Sequence, residues 1–337
     1  MRLPGFINAG AFVEVALSVA DFDFEPGSGA PGPVFWSAHI FAPYKGLGSG
    51  GLAGVSGSGL VEQARAAFFL ESKALALMRD MRSSAGTIWD ITLSPVITLT
   101  NLSSAIATLG FFDQAAVRIR EAIAQAQGTP MEAFCQLNVA VQCAILHNWQ
   151  LAREHSEAAL MIEAENELSG LVGLTKATHG LAIAMLDHAD RGIAEIREAL
   201  SNQSSARLRA MGLRFLAEAC LAARRAEDGL AALDGFASFL DRPSIVDALR
   251  GDLLLIQEPA DEREAERLLR HAVEVAREQS ARLYELRATN SLARLLKRQG
   301  KVDEARRVLS DIYGWFTEGF DTADLKDANA LLDEVGS

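Results

Sequence analysis

The chain has 337 residues, 49 % of them hydrophobic, and its 44 acidic against 32 basic side chains give a net charge of −12. That balance argues against a nucleic-acid-binding face, which needs a basic stripe, and no run of 18 apolar residues is present to span a membrane. Three cysteines without CxxC spacing, Cys135, Cys143 and Cys220, read as buried thiols of a reducing, cytoplasmic compartment rather than disulfides.

Residues 1–60 stand apart, with 12 of the 27 glycines and 5 of the 9 prolines. Gly46 to Gly59, GLGSGGLAGVSGSG, reads as a flexible linker. It is no phosphate loop: no Lys follows its glycines, and Lys45 lies on the wrong side of them. The segment before it reads equally as a short strand or an ill-ordered tail, and Glu14 interrupts what would be the apolar core of a secretory signal. Residues 61–93 begin with a helical stretch, Val61 to Arg82, followed by a break at Ser83 to Gly86.

From 94 to 316 the pattern repeats. Its clearest copy is Ala281 to Phe316. A first helix carries Leu283, Leu286, Leu292, Ala293, Leu295 and Leu296 at helical spacing. Gly300 supplies the left-handed turn. Lys297 and Arg298 lie in the last turn of the first helix, and Asp303 and Glu304 in the first turn of the second, as the helix dipole favours. A small residue follows each turn, at Ala115, Ala152, Gly192, Gly229, Ala265 and Ala305, with steps of 37, 40, 37, 36 and 40. Twelve positions earlier stand Ser103, Ala140, Gly180, Ala217, Leu253 and Ala293; a longer turn at Gln257 to Asp261 gives the small position of the fifth copy to Gly251 instead of Leu253. Ser94-Pro95 and Thr129-Pro130 open helices where the period requires it, and Pro243 falls at a junction. Such pairs bury their stripes only by stacking. The fold class predicted is therefore all-α: a tetratricopeptide-like α-solenoid of about six helix pairs. Residues 317–337 add a capping helix, with Leu325, Ala328, Leu331 and Leu332 on one face.

The run Glu285 to Val335, and within it YGWFTEGFDTADLKDA from Tyr313 to Ala328, resembles the C-terminal end of large bacterial signalling ATPases. In these a cyclase-like or winged-helix domain precedes a P-loop ATPase and a tetratricopeptide-type array. The resemblance covers about the last 240 residues. It implies a role in bacterial signalling or transcriptional regulation and, as a possible partner, an ATPase or cyclase. No phosphate loop, Walker-B strand or cyclase metal carboxylate stands in this chain, so no ATP-binding residue carries over; a stand-alone module, a split operon partner and a truncated remnant all fit.

In such stacks the first helix of each pair lines the concave face. Counting one after, three before and six before each small residue selects Arg294, Asn290 and Arg287 in the last pair, and Glu218, Arg214 and Met211 in the fourth. The same count gives Val141, Leu137 and Phe134 in the second pair, then Leu181, Ala177 and Leu174 in the third. A protein or peptide with an apolar anchor and an acidic part facing Arg287 and Arg294 would suit this groove, unless those arginines form a solvated face with glutamates such as Glu285. His147 and His155, eight apart, lack a third metal ligand; His179, Trp149 and Trp315 read as packing residues. Scattered Ser, His and Asp residues form no triad. The sequence thus reads as a non-catalytic interaction scaffold without cofactor or metal. The alternative is a regulatory fragment of an ATPase or adenylate cyclase system that binds a small effector.

Overall fold

The computed structural model describes residues 95–129, 131–166, 171–186, 188–201, 206–237, 244–257 and 259–336. The leader, the linker, the helical stretch at 61–82, Ser94, Pro130 and Pro243 lie outside them.

The described chain is a succession of helices without a strand. Six pairs follow one another: α1 (Pro95–Thr108) with α2 (Phe112–Ala126), α3 (Glu132–Ile145) with α4 (Trp149–Glu165), and α5 (Val172–Met185) with α6 (Ala189–Ser201). Then come α7 (Ala206–Ala222) with α8 (Ala226–Ala237), α9 (Ser244–Ile256) with α10 (Glu262–Glu278), and α11 (Arg282–Arg298) with α12 (Val302–Tyr313). A thirteenth helix, α13 (Ala323–Gly336), ends the array. Each first helix packs on its own second helix and, from α1 to α9, on the first helix of the next pair, while α11 packs on α13. This is an all-α solenoid.

The small residues are where the two helices of a pair meet. The Ser103 hydroxyl donates to the Ala115 carbonyl at 2.8 Å, joining two positions twelve apart. In the third pair, Gly180 and Gly192 bring the backbones so close that a Cβ on Gly192 would lie 2.2 Å from the Gly180 carbonyl oxygen. Gly251 takes the small position of the fifth pair, since a Cβ there would meet Leu269 at 2.9 Å and the Ala265 carbonyl at 3.3 Å. Leu253 instead projects towards the preceding pair, where its Cδ2 would lie 2.5 Å from a Cβ on Gly229.

Turns and caps follow local chemistry. Gly300 ends α11 at φ 79°, with Lys297 and Arg298 in the final turn of that helix. The Asn148 and Asp261 side chains accept from the backbone N–H groups of Leu151 and Glu264 and so cap α4 and α10. On α13, Leu325, Ala328 and Leu331 are buried, as a helix covering the open end of a stack requires.

The array bends until its last pair meets its first two. Leu102, Ile106, Phe112 and Ala115 of the first pair share one apolar core with Leu283, Tyr284 and Phe316. The Phe112 and Phe316 rings stack with centroids 5.8 Å apart, and Phe111 packs on Trp315 at 5.6 Å. Helix α2 has no side-chain cap from its own N-cap residue, Phe111. Glu318 supplies one from the far end of the chain, accepting from the N–H groups of Asp113 and Gln114 at 3.0 and 3.3 Å. At the other polarity, Arg287 of α11 donates to the carbonyl of Ile145, the last residue of α3. Two glycines make the seam tight. Gly110 and Gly319 both have positive φ, and a Cβ at either would fall within 3 Å of an aromatic side chain from the other end: Trp315 for Gly110, Phe112 for Gly319.

Candidate binding pocket on the inner face

The first helices of the pairs form the inner layer, and the bend curves that layer around a cavity of about 470 Å³ that is partly open to solvent. The lining comes from α7, α9, α11 and α13, with Met185 at the end of α5 and His147 and Trp149 from the α3–α4 turn. The apolar part of the lining is Trp149, Met185, Leu221, Ile245 and Leu249. Among the lining residues are four carboxyls, Glu218, Asp252, Asp324 and Asp327, and two guanidiniums, Arg287 and Arg294; Glu218 shares α7 with Leu221, and Asp252 shares α9 with Ile245 and Leu249.

Most of these charges neutralise one another. Arg287 forms a two-pronged pair with Asp324 at 2.8 and 2.7 Å. Both side chains are largely removed from water, with 13 % and 6 % exposed. Burial opposes ionisation of Asp324, but the charge and hydrogen bonds of Arg287 outweigh it and hold the carboxyl below its usual range. Arg294 pairs with Asp327, and Arg214 with Glu218 at 2.5 Å along α7. Asn290 donates to the Asp324 carbonyl at 3.4 Å and to Asp327 Oδ2 at 3.2 Å. Its own Oδ1 is buried without a hydrogen-bond partner.

Asp252 is the exception. Its hydrogen-bond partner is the Ser291 hydroxyl, at 2.9 Å. Burial raises its pKa to about 6, against the smaller opposing effects of the Ser291 hydrogen bond and the Arg294 charge. His147 is unusual in another way. It holds the left-handed turn position at φ 55°, where glycine stands in the last pair. Its ring stacks on Trp149 at 4.9 Å and lies 3.4 Å from Asp324. Desolvation, helped by the positive charge of Arg287, lowers its pKa to about 3, so it faces the cavity as a neutral ring.

Arg287, Asn290, Arg294 and Glu218 therefore do come together around one cavity, with Arg214 behind Glu218. The groove expected at the N-terminal end does not form. Leu137, Leu174 and Leu181 are at most 8 % exposed and belong to the core, because α5 lies against both α3 and α7 and its inner face is used up by its neighbours. Ala177 is buried with them, and Val141 and Met211 are half-buried against the same core. Phe134 is half-buried but lies away from the cavity. The expectation that Arg287 and Arg294 await an acidic ligand is also corrected: α13 already presents Asp324 and Asp327 to them. Glu285 pairs elsewhere, with Arg277 and Arg282.

Three lining residues of α9 were missed, though the counting rule contains them. Counted from Gly251, it selects Asp252, Ala248 and Ile245, and all three line the cavity. His147 and Trp149 carried no such signal, since their place depends on the bend. His179 is more than a packing residue: it bonds Glu195 at 2.7 Å, and that hydrogen bond raises its pKa against burial. Among the described residues no group of His, Cys, Asp and Glu could hold a metal ion.

Helix pairs stacked on a common inner layer define this chain as a helical-repeat protein. No protein-family model matches it, and no curated protein does. Twelve solved chains match. One of them, the C-terminal part of a TPR repeat-containing protein from Cytophaga hutchinsonii, is 12 % identical with a TM-score of 0.35 over 80 % of this chain and 99 % of that one. At that level of similarity the assignment of fold rests on the helix pairs described above.

Proposed function

We propose that this chain is a non-catalytic helical-repeat interaction module whose binding place is the inner pocket. The observation that carries this reading is the cavity itself, about 470 Å³, partly open to solvent and lined by both apolar and charged side chains. Its size admits a small molecule or the end of a chain, not a folded domain, which needs an interface of about 1,000 Å² or more. A partner protein would therefore insert a short segment. The likeness of Glu285 to Val335 to signalling ATPases supports a setting in bacterial signalling or transcriptional regulation.

The second reading is a sensor that binds a small effector on behalf of an ATPase or cyclase partner, and the small volume and mixed lining of the cavity favour it. One experiment addresses both. Ala248 lines the cavity from α9, and Ala248→Phe would fill it. Protein and metabolite capture from native extract, comparing the intact chain with this variant at equal helicity, should show a species lost on filling the pocket. A partner or effector retained equally by both chains would remove the pocket from the proposal.

A further inference from the structure

The occupant of the pocket can be specified by what the walls leave unmatched. Three of the four lining carboxyls have their own guanidinium: Glu218 has Arg214, Asp324 has Arg287, and Asp327 has Arg294. Asp252 has a hydroxyl instead. A second acceptor of the lining, Asn290 Oδ1, is buried without a hydrogen-bond partner. No lining cation is left without an acid, so a negatively charged ligand finds no counter-charge, whereas a positively charged donor finds one at Asp252. The apolar lining residues, Trp149 and Leu249 among them, suit an apolar body beside that charge.

We propose that the pocket binds an organic cation, an ammonium or guanidinium group on an apolar stem, with Asp252 as its counter-ion. This rests on the reading of the cavity as the binding place. A free amine and a lysine-bearing peptide share this chemistry.

The test is isothermal titration calorimetry of the full chain with three ligands that share one indole body: tryptamine, tryptophol and indole-3-propionate. The peptide acetyl-Leu-Lys-Leu-amide and its norleucine counterpart form a second arm. Tryptamine should bind at least tenfold more tightly than indole-3-propionate, and Asp252→Asn should remove at least tenfold of that affinity while circular dichroism stays unchanged. Ala248→Phe should abolish binding of every probe. Preference for the lysyl peptide over both its norleucine counterpart and tryptamine would also support the proposal and name a chain as the source. Equal or better binding of indole-3-propionate, lost in Ala248→Phe, would overturn the cation and leave the pocket standing. Tryptamine affinity unchanged in Asp252→Asn would overturn the role of Asp252. No heat from any probe would overturn the cation and the pocket together.

Discussion

Arg287 joins three parts of the chain, and its removal should show how much the closure contributes. It pairs with Asp324 of α13 and donates to the last carbonyl of α3. In Arg287→Ala the Asp324 carboxylate stays behind, almost fully buried, without its counter-charge. Removing one partner of a buried pair costs about 3–5 kcal/mol, mostly the desolvation of the charge left alone. In a domain of this size that corresponds to a fall in Tm of roughly 6–10 °C. The sign with pH follows from Asp324. Arg287 holds its folded pKa below the usual 3.8, so the pair contributes its stability above that value and loses it as pH falls through the folded pKa. The cost of Arg287→Ala should therefore be largest at neutral pH and shrink on acidification, beginning above about 4 because the carboxyl left buried alone is protonated more readily. Urea denaturation of the single variants and of the double Arg287→Met with Asp324→Leu measures the coupling. The double variant should be more stable than either single, with at least about 2 kcal/mol of interaction between the sites. A loss below about 1 kcal/mol for Arg287→Ala, or additive singles, would refute the reasoning: the pair would then be no more than a surface contact.

Other outcomes follow from the same geometry. Glu163 is 2 % exposed and accepts from the Thr175 hydroxyl at 2.8 Å. Burial, partly offset by that bond, raises its pKa from 4.5 to about 7. A carboxyl raised on folding destabilises the fold as pH climbs from 4.5 through 7, so Glu163→Gln should gain about 1–3 kcal/mol at pH 8 and almost nothing at pH 4 in paired denaturant titrations. Gly319→Ala must find room for a Cβ 2.3 Å from Phe112 while holding a positive φ; it should lose at least about 2 kcal/mol and expose the Trp315 indole to acrylamide quenching. Burial pushes the Cys135 thiol to about 12 and those of Cys143 and Cys220 to about 11, with smaller electrostatic contributions at Cys135 and Cys220. Ellman's reagent at pH 8 should leave all three unlabelled in the native protein and label all three in guanidinium; a fast native thiol would contradict this.

The fold was legible because its determinants are local and repeated. Small residues twelve apart mark where two helices touch, and the contact of Ser103 with Ala115 or Gly180 with Gly192 is the physical event behind that spacing. Part of the pocket was legible for the same reason, since Arg287, Asn290 and Arg294 share one register and Ile245, Ala248 and Asp252 share the equivalent one. The seam was not. It depends on a rotation accumulated over six pairs, and nothing in Glu318 or Asp113 taken singly announces that they will meet across more than two hundred residues. Without the seam, Arg287 reads as an unanswered charge and Trp149 as ordinary packing. The leucines at 137, 174 and 181 obey the same register as the arginines, but the tighter side-by-side packing of α3, α5 and α7 covers them.

The meeting of the two ends has an evolutionary consequence. Open solenoids change length readily, because a duplicated or deleted unit meets the same neighbour as before. Here a whole extra unit would carry Phe316 and Glu318 past Phe112 and the start of α2, and one unit fewer would stop them short. Variation in this lineage should therefore fall on side chains that face the cavity, while the number of helix pairs from α1 to α12 stays fixed.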